Sequence, residues 1–207
     1  MTQELLSALI ERTTASIAAH ADELTKLDQA IGDGDHGINM ARGFKAIAEQ
    51  RDSLAALPAN QALQKAGMTL VMKVGGASGP LYGSLLMSMG KALPEAPASL
   101  ADVAAAFAEG VAAVQKRGKS GPGEKTMLEV LVPVLAALRA ADGTDLPAAL
   151  AAVRAAADTG LESTRPMRAT KGRASYLGER SVGHLDPGAR SSALLAHAVA
   201  DVLEQMP

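Results

Sequence analysis

Residues 28–37 read DQAIGDGDHG, a polar and glycine-rich stretch between two segments with helical periodicity. Apolar residues upstream recur at helical spacing, which predicts a long first helix ending near Asp28. A second helix is expected to run from about Ile38 to Arg51. The stretch is therefore expected to be a loop at a helix end, and similar loops elsewhere in the chain indicate how the helices are arranged.

Three further glycine-rich loops follow, at residues 75–80 (GGASGP), 117–124 (RGKSGPGE) and 164–189. They lie at alternate connections between segments that favour helices, because the chain is rich in alanine and leucine and poor in aromatic residues. In an up-and-down array, alternate connections lie at the same end. The sequence therefore predicts an all-α fold of about eight helices whose loops converge on one site. The other helices are expected at about residues 60–74, 80–93, 99–116, 146–163 and 190–204, with one more containing Pro133 and followed by a break at Asp142-Gly143.

The composition limits the classes of protein to which this chain can belong. Of its 207 residues, 48% are hydrophobic and 20% charged, which suits a globular chain forming a single domain over residues 1–207. The net charge of −2, the lack of a basic tract and an aromatic content of 2% argue against nucleic-acid binding. The absence of cysteine excludes disulfides, thiolate catalysis and cysteine-ligated zinc. With no signal pattern at the N-terminus and no apolar run of about 18 residues, a cytoplasmic protein is expected.

The first loop carries three carboxylates, those of Asp28, Asp33 and Asp35. Carboxylates this close repel one another unless a cation lies between them, and their oxygens suit hard ions such as Mg²⁺. The spacing predicts a metal site, although a solvated acidic turn with helix-capping aspartates has the same residues. A calcium loop of the EF-hand type does not fit, because Phe44 stands where its closing glutamate would be. A dinucleotide-binding loop does not fit either, since a helix precedes the glycines and the aspartates would repel a pyrophosphate.

Two of the other loops have the composition of anion-binding sites. Residues 75–80 place backbone amides at a helix start, where a phosphate could be held, although such residues also form tight turns between helices. Residues 167–180 are the most basic stretch, and Lys171, Arg173 and Arg180 could clamp phosphate oxygens unless the stretch is only a solvated loop. An acidic triplet, a glycine cradle and a basic loop together predict phosphoryl transfer with a magnesium-nucleotide.

Several longer strings carry a resemblance to a known family. They are LDQAIGDGDHGINMARG (27–43), GGASGPLYG (75–83), GEKTM (123–127), KGRASYLGER (171–180) and GHLDPG (183–188). In this order, and over nearly the whole chain, they resemble the nucleotide-binding L subunit of dihydroxyacetone kinase. The resemblance implies a closed barrel of eight antiparallel helices, with the nucleotide bound in the loops at one end.

The resemblance also implies roles for individual residues. Asp28, Asp33 and Asp35 would hold two Mg²⁺ ions against the phosphates of ADP or ATP. Arg173 would contact the nucleotide and neutralise charge during phosphoryl transfer. His36 and Asn39 would also contact the nucleotide, and Gly76, Ala77 and Ser78 would contact its phosphates. The nucleoside side would be lined by Gly118, Thr126 and Met127, and the site would be closed by Arg173 together with Asp186, Pro187 and Gly188.

In this family the L domain is either fused to a substrate-binding K domain and uses exchangeable ATP, or is a separate chain with tightly held ADP. In the second arrangement, a phosphohistidine on a phosphotransferase-system subunit converts the ADP to ATP in place, and the phosphoryl group passes to dihydroxyacetone on a K subunit. Because the resemblance covers only the L part, we expect the second arrangement, with the K subunit and the phosphohistidine subunit as partners and neither nucleic acid nor a membrane. The open alternatives are an ATP-exchanging kinase subunit for a related ketose, a nucleotide-loaded regulatory module, and a purely structural helical domain that binds a metal.

Overall fold

The computed structural model describes residues 2–97, 99–141 and 145–205, so the break expected at Asp142-Gly143 lies outside the described residues. Within these ranges the chain is helical and contains no strand, as expected. None of the helices in these ranges is long and apolar enough to cross a membrane. The helices are α1 (Gln3–Ala19), α2 (Ala21–Ile31), α3 (His36–Ala48), α4 (Arg51–Ala55), α5 (Ala59–Lys73), α6 (Ser78–Ala92), α7 (Leu100–Gly118), α8 (Leu128–Ala140), α9 (Leu146–Ser163) and α10 (Pro187–Gln205), with a 3-10 helix (Arg173–Ser181) before α10.

Two of the expected helices differ from the structure: the first is divided in two, and the second ends early. The expected first helix breaks at His20, whose ring Nδ1 donates to the carbonyl oxygen of Ser16 at 2.8 Å, while its backbone amide bonds to the carbonyl of Ala18. In a continuous α-helix the Ser16 carbonyl would accept from the backbone amide of His20. The His20 ring bonds to that carbonyl instead, so α1 ends and α2 begins. The expected second helix ends at Ala48, and the short α4 follows it.

Eight helices of the described chain pack side by side in a ring, in the order α1, α3, α5, α6, α7, α8, α9 and α10, and α10 returns to α1. Arg12 in α1 bonds to Asp201 near the end of α10, whereas Glu23, beyond the end of α1, bonds to Arg190 near the start of α10, so these helices are antiparallel. Hydrogen bonds show the same reversal between α1 and the chain of α3 and α4, where Thr14 bonds to Phe44 and Glu11 to Arg51. They show it also between α3 and α5, and between α9 and α10. Close approaches of glycines show it between α5 and α6, α6 and α7, and α8 and α9. The ring is therefore closed and alternates in direction.

Apolar side chains fill the inside of the ring. The main buried cluster takes side chains from seven ring helices and from α2 and α4. The remaining ring helix, α9, packs with α8 and α10 in a second cluster through Val153 and Ala157. Members of the main cluster include Ile17, Leu24, Met40, Leu70, Leu85, Val114, Leu128 and Leu194. Such packing makes the helices a rigid frame for the loops that join them.

Gly160 allows α8 and α9 to approach closely, and a substitution at this position tests how much that approach contributes to stability. A Cβ here would overlap the backbone carbonyl oxygen of Glu129, so an added methyl group must push the helices apart. We expect Gly160→Ala to lower the free energy of unfolding by about 1–3 kcal/mol, despite the higher helix propensity of alanine. Urea denaturation measures this change. Gly121→Ala is the control, because nothing lies within 4 Å of its Cβ position, and equal stability of the two variants would contradict the packing argument.

The alternation of directions brings four connections to the same end of the barrel. They are residues 32–35, 74–77, 119–127 and 164–186. The predicted convergence of the glycine-rich loops is therefore confirmed, and hydrogen bonds and ion pairs join loops that are distant in the sequence. We refer to this end as the loop end.

Candidate functional site

Three carboxylates meet at the loop end. Asp28 lies on the last turn of α2, Asp33 in the following loop, and Asp35 immediately before α3. One oxygen of each lies within 4.8 Å of the other two. Asp28 is buried, whereas Asp33 and Asp35 are more accessible. This acidic cluster has the hard oxygen donors and the open side that a divalent cation needs when it also binds a phosphate.

Backbone geometry holds the acidic loop in this shape. Oδ2 of Asp28 accepts hydrogen bonds from the amides of Asp35 at 2.9 Å and His36 at 3.1 Å, so the loop folds back onto the end of α2. A Cβ on Gly32 would collide with Oδ1 of Asp28, and Gly34 has a φ of +76°, which favours glycine. The glycines between the aspartates are therefore what allows the carboxylates to meet.

His36 connects the acidic loop to two other helices. Its Nδ1 lies 2.9 Å from Oγ of Ser78 at the start of α6, and its Nε2 lies 2.9 Å from Oγ of Ser191 in α10. Burial lowers the pKa of His36, and the charges of Asp28 and Asp35 oppose this shift. A neutral ring donates from one nitrogen and accepts at the other, and serine hydroxyls can serve both roles. His36 therefore sets the position of Ser78, one of the predicted phosphate contacts.

The predicted phosphate loop lies beside the acidic cluster. Gly76 has a φ of +65°, and a Cβ on it would come to 4.0 Å from Oδ1 of Asp35. Ala77 precedes α6 and Ser78 is its first residue. The first turn of a helix has amides without intrahelical acceptors and a partial positive charge. A phosphate could therefore contact these amides and a cation on the carboxylates at the same time.

Asn39 lies against the same loop from the first turns of α3. A Cβ on Gly75 would be 3.0 Å from both polar atoms of the Asn39 amide. Arg42 donates to Oδ1 of Asn39 at 2.6 Å and to the carbonyl of Lys73 at 2.8 Å. These bonds fix the orientation of the amide, so its nitrogen is held near the phosphate loop.

Arg173 is the part of the basic segment, residues 164–184, that reaches the acidic cluster. Its Nη2 lies 3.0 Å from Oδ2 of Asp33, and its side chain is 67% exposed. The 3-10 helix that begins at Arg173 is anchored through Ala174 and Leu177, which pack on Ile31 of α2. An exposed ion pair contributes little to stability, so the guanidinium can exchange a carboxylate for a phosphate at small cost.

The two other basic residues predicted as phosphate clamps take different positions. Nζ of Lys171 lies 3.6 Å from Oε1 of Glu124 and so faces the loop at residues 119–127. Arg180 is exposed near the end of the 3-10 helix. Of the three, the structure brings Arg173 to the carboxylates.

The residues predicted to line the nucleoside lie where α7 ends and just before α8 begins, beside the turn at the start of α10. Gly188 approaches Met127 so closely that a Cβ on it would be 3.5 Å from the Cβ of Met127. The hydroxyl of Thr126 accepts from the backbone amide two residues further on, at 3.2 Å. Gly118 is the last residue of α7 and lies beside Leu81 of α6. Small and apolar groups thus border this side of the loop end.

Asp186 caps α10, which begins at Pro187 rather than near residue 190. Its Oδ2 accepts from the amide of Ala189 at 2.7 Å, and its own amide donates to Oγ1 of Thr164 at 3.1 Å. Proline suits the first helical position because it has no amide hydrogen to satisfy there. Burial of the carboxyl group raises the pKa of Asp186 to about 7, and the charge of Lys125 opposes this shift.

The raised pKa of Asp186 predicts a pH dependence of stability. The folded chain keeps this proton up to about pH 7, whereas the unfolded chain loses it near the ordinary value of 3.8. The wild type should therefore lose stability between these values as the pH rises, by about 1 kcal/mol per pH unit from this group. Asp186→Asn mimics the neutral carboxyl group and should remove this contribution. Urea denaturation across the window measures it, and parallel pH profiles of the two proteins would contradict the assignment.

A buried lysine, whose role was not predicted from the sequence, joins two of the loops. Nζ of Lys125 donates to four backbone carbonyl oxygens, which belong to Thr164 (2.8 Å), Met167 (3.1 Å), Ser181 (2.8 Å) and His184 (2.6 Å). The side chain is 1% exposed. The sequence feature that could have indicated this role is the location of Lys125 in the GEKTM string, a glycine-rich loop beside an apolar helix. A charged residue that is buried in such a place must have hydrogen-bonding partners.

Two further polar side chains at the loop end were also missed. The carboxylate of Glu129 accepts from the amides of Gly123, Glu124 and Lys125 at 3.0 to 3.1 Å and so shapes the loop before α8. The hydroxyl of Tyr82 lies 2.7 Å from Oγ of Ser191, the same hydroxyl that His36 contacts. Nothing in the sequence near Tyr82 indicates this partner.

The DAK2 domain family matches residues 30–201 of this chain. Two bacterial proteins are similar to it along most of both chains. The ADP-binding subunit DhaL of the PEP-dependent dihydroxyacetone kinase 1 of Listeria innocua is 48% identical over 176 residues, which are 85% of this chain and 84% of the relative. The ADP-binding subunit DhaL of the PEP-dependent dihydroxyacetone kinase of Escherichia coli is 44% identical over 177 residues, which are 84% of each chain.

A solved structure of a longer protein has the same fold. The dihydroxyacetone kinase from C. freundii, crystallised in complex with AMP-PNP and Mg²⁺, superposes with a TM-score of 0.75 and 27% sequence identity. The match covers 96% of this chain and 34% of that protein. The arrangement of helices described above therefore occurs as part of a larger kinase.

Proposed function

The chain belongs to the DAK2 domain family, and we propose that it is the ADP-binding subunit of a phosphoenolpyruvate-dependent dihydroxyacetone kinase. The observation that carries the proposal is that the acidic cluster, Arg173 and the first turn of α6 come together at the loop end. Carboxylates for a metal, helix amides for phosphate and a guanidinium for developing charge are the parts that phosphoryl transfer requires. The names of the two bacterial subunits support ADP as the nucleotide and dihydroxyacetone as the acceptor.

Asp28, Asp33 and Asp35 would hold two Mg²⁺ ions in this proposal. The donor set fits, because three carboxylates within reach of one another supply hard, charged oxygens and repel one another without a cation. Bound Mg²⁺ supplies neutralisation of phosphate oxygens and polarisation of the phosphoryl group. Asp28 has a second task, since its hydrogen bonds to the loop hold the other two carboxylates in place.

The other predicted contacts would bind the nucleotide from two sides. Amides of Gly76, Ala77 and Ser78 would donate to phosphate oxygens at the start of α6, with His36 orienting the serine hydroxyl. Asn39 would donate from the amide that Arg42 holds in place. The nucleoside would lie against Gly118, Thr126 and Met127, and the Asp186-Pro187-Gly188 turn would close the site.

Arg173 would be the catalytic residue of this chain. Its guanidinium already lies beside Asp33 and therefore next to the place where the phosphates would be bound. From there it would donate hydrogen bonds to phosphoryl oxygens and neutralise the charge that develops as the phosphorus–oxygen bond lengthens.

The nucleotide would act as a bound cofactor. A phosphohistidine-carrying subunit of the phosphotransferase system would transfer its phosphoryl group to ADP, which leaves ATP and free histidine. The γ-phosphoryl group would then pass to dihydroxyacetone on a K subunit and restore ADP. The separate DhaL subunits of L. innocua and E. coli are 48% and 44% identical, against 36% for human triokinase/FMN cyclase, of which the match covers 35%. This difference supports the arrangement with separate subunits.

A kinase subunit that exchanges ATP freely is the second candidate. It is favoured by the fold shared with the C. freundii kinase, whose solved complex contains an ATP analogue and Mg²⁺. In that case ATP would bind from solution, donate its γ-phosphoryl group, and leave as ADP. The two candidates share the same metal and phosphate contacts and differ in how long the nucleotide stays bound.

Identification of the nucleotide that accompanies the protein tests both candidates. The chain is purified in Mg²⁺ buffer and denatured, and the released nucleotide is separated by chromatography. We expect stoichiometric ADP, and phosphoryl transfer to dihydroxyacetone that depends on phosphoenolpyruvate, the phosphotransferase proteins and a K subunit but not on free ATP. Empty protein that exchanges ATP would favour the second candidate, and a protein without nucleotide affinity would contradict both.

A further inference from the structure

We infer that Lys125 is a positioning residue that holds the basic segment, and with it Arg173, over the loop end, and that the carbonyl groups around its ammonium form a site for a small cation. The second half of this inference rests on the contacts of Lys125 alone. The link to Arg173 rests also on the proposed function. We call the four carbonyl oxygens around Nζ, those of Thr164, Met167, Ser181 and His184, the carbonyl cage.

The carbonyl cage surrounds the ammonium as oxygen ligands surround a monovalent cation. Its four oxygens lie 2.6 to 3.1 Å from Nζ, and none of them can donate a hydrogen bond. Burial lowers the pKa of Lys125, while the charge of Asp186 opposes this shift and that of Arg165 adds to it. A neutral amine would turn its lone pair toward one of these oxygens, whereas the ammonium has three N–H donors and no lone pair. The contacts therefore fit the charged form of the lysine.

The carbonyl cage draws the two ends of the basic segment together. Thr164 and Met167 belong to its first part, whereas Ser181 and His184 belong to its last part. Between them lies the 3-10 helix that carries Arg173 at its start. Without a positive charge at the centre, four carbonyl dipoles would point at one another and repel. The ammonium thus stabilises the folded path of the segment and, through it, the position of Arg173.

The backbone of Lys125 is itself held in an unusual conformation. Its φ of +60° is rare for a residue other than glycine, and such strain persists where surrounding groups determine the conformation. The carboxylate of Glu129 accepts from the Lys125 amide at 3.1 Å, and the side chain is anchored in the carbonyl cage. Thr126 and Met127, which follow, are proposed nucleoside contacts. One residue therefore connects the nucleoside side of the site with the segment that carries Arg173.

Chemical rescue of Lys125→Ala tests the inference. The substitution removes the side chain beyond Cβ, and propylammonium has the size and charge of the missing part. We expect amide hydrogen exchange in residues 164–184 to accelerate and bound nucleotide to leave at least about tenfold faster, because the segment opens more often. Millimolar propylammonium should reverse both changes, whereas tetramethylammonium, which has no N–H donor, should not.

The outcomes separate this inference from the proposed function. Unchanged exchange in residues 164–184, or recovery in tetramethylammonium as complete as in propylammonium, would overturn the cation site. Accelerated exchange with unchanged nucleotide release would overturn the positioning role. Wild-type protein without affinity for ADP or ATP would refute the proposed function and the link to Arg173, while the exchange data would still decide the cation site. If Lys125→Ala does not fold, we expect refolding in propylammonium but not in tetramethylammonium, and failure in both would overturn the cation site.

Lys91→Ala is the matched control, because Lys91 is exposed near the end of α6 that lies opposite the loop end. A double-mutant comparison then tests the route through Arg173. If Lys125 acts by placing Arg173, its loss should slow phosphoryl transfer much less in the Arg173→Ala protein than in the wild type. Equal effects in the two backgrounds would overturn this route. A purely structural role of Lys125 predicts such equal effects, and the smaller effect in the Arg173→Ala protein therefore distinguishes the two roles.

Discussion

Asp35→Asn should abolish tight binding of the magnesium-nucleotide, weakening it by at least about 100-fold, or roughly 3 kcal/mol. The change keeps the shape of the side chain and removes one of the three charges that meet within 4.8 Å. Asp35 makes no side-chain hydrogen bond to the first turn of α3, so the helix start should survive. Isothermal titration of nucleotide in the presence of Mg²⁺ measures the loss.

Glu95→Gln is the control for the loss of one negative charge. Glu95 is exposed beyond the end of α6, at the opposite end of the barrel from the acidic cluster. Its replacement should leave nucleotide affinity unchanged, and thermal unfolding should show both variants to be folded. Affinity retained in folded Asp35→Asn protein would show that the acidic cluster is a solvated turn and not a metal site.

Arg173→Ala should slow phosphoryl transfer by about 100-fold or more while most of the bound nucleotide is retained. The guanidinium lies 3.0 Å from Asp33, at the edge of the acidic cluster, and it is anchored by the 3-10 helix and not by burial of its own side chain. Removing it takes away a charge that matters most in the transition state. A single-turnover assay with phosphohistidine donor and preloaded ADP separates the transfer step from nucleotide binding.

Arg168→Ala is the matched control on the same basic segment. Arg168 is exposed and pairs at the surface with Glu179, an arrangement that contributes little energy. Its loss lowers the positive charge of the segment equally but leaves Arg173 in place. Similar slowing in both variants would assign the effect to the overall charge of the segment, and unchanged transfer in Arg173→Ala would remove this residue from the mechanism.

The local features of the chain could be predicted from the sequence. Ser99 was expected to start a helix, and its hydroxyl accepts from the amide of Asp102 at 3.2 Å while the Asp102 carboxylate accepts from the Ser99 amide. The acidic loop was also recognisable, because glycines between aspartates allow the chain to fold back within ten residues. The break at His20 was missed, since a ring that captures a carbonyl one turn earlier leaves no trace in the apolar periodicity.

The helical class, the approximate helix positions and the chemical character of the loops follow from the order of residues, because backbone preferences and capping act over a few residues. Which groups meet depends on how the helices pack. His36 bonds to serines that lie 42 and 155 positions along the chain, and Nζ of Lys125 finds carbonyls 39 to 59 positions away. Such contacts arise only when the closed ring brings alternate loops to one end, and no local preference specifies that closure.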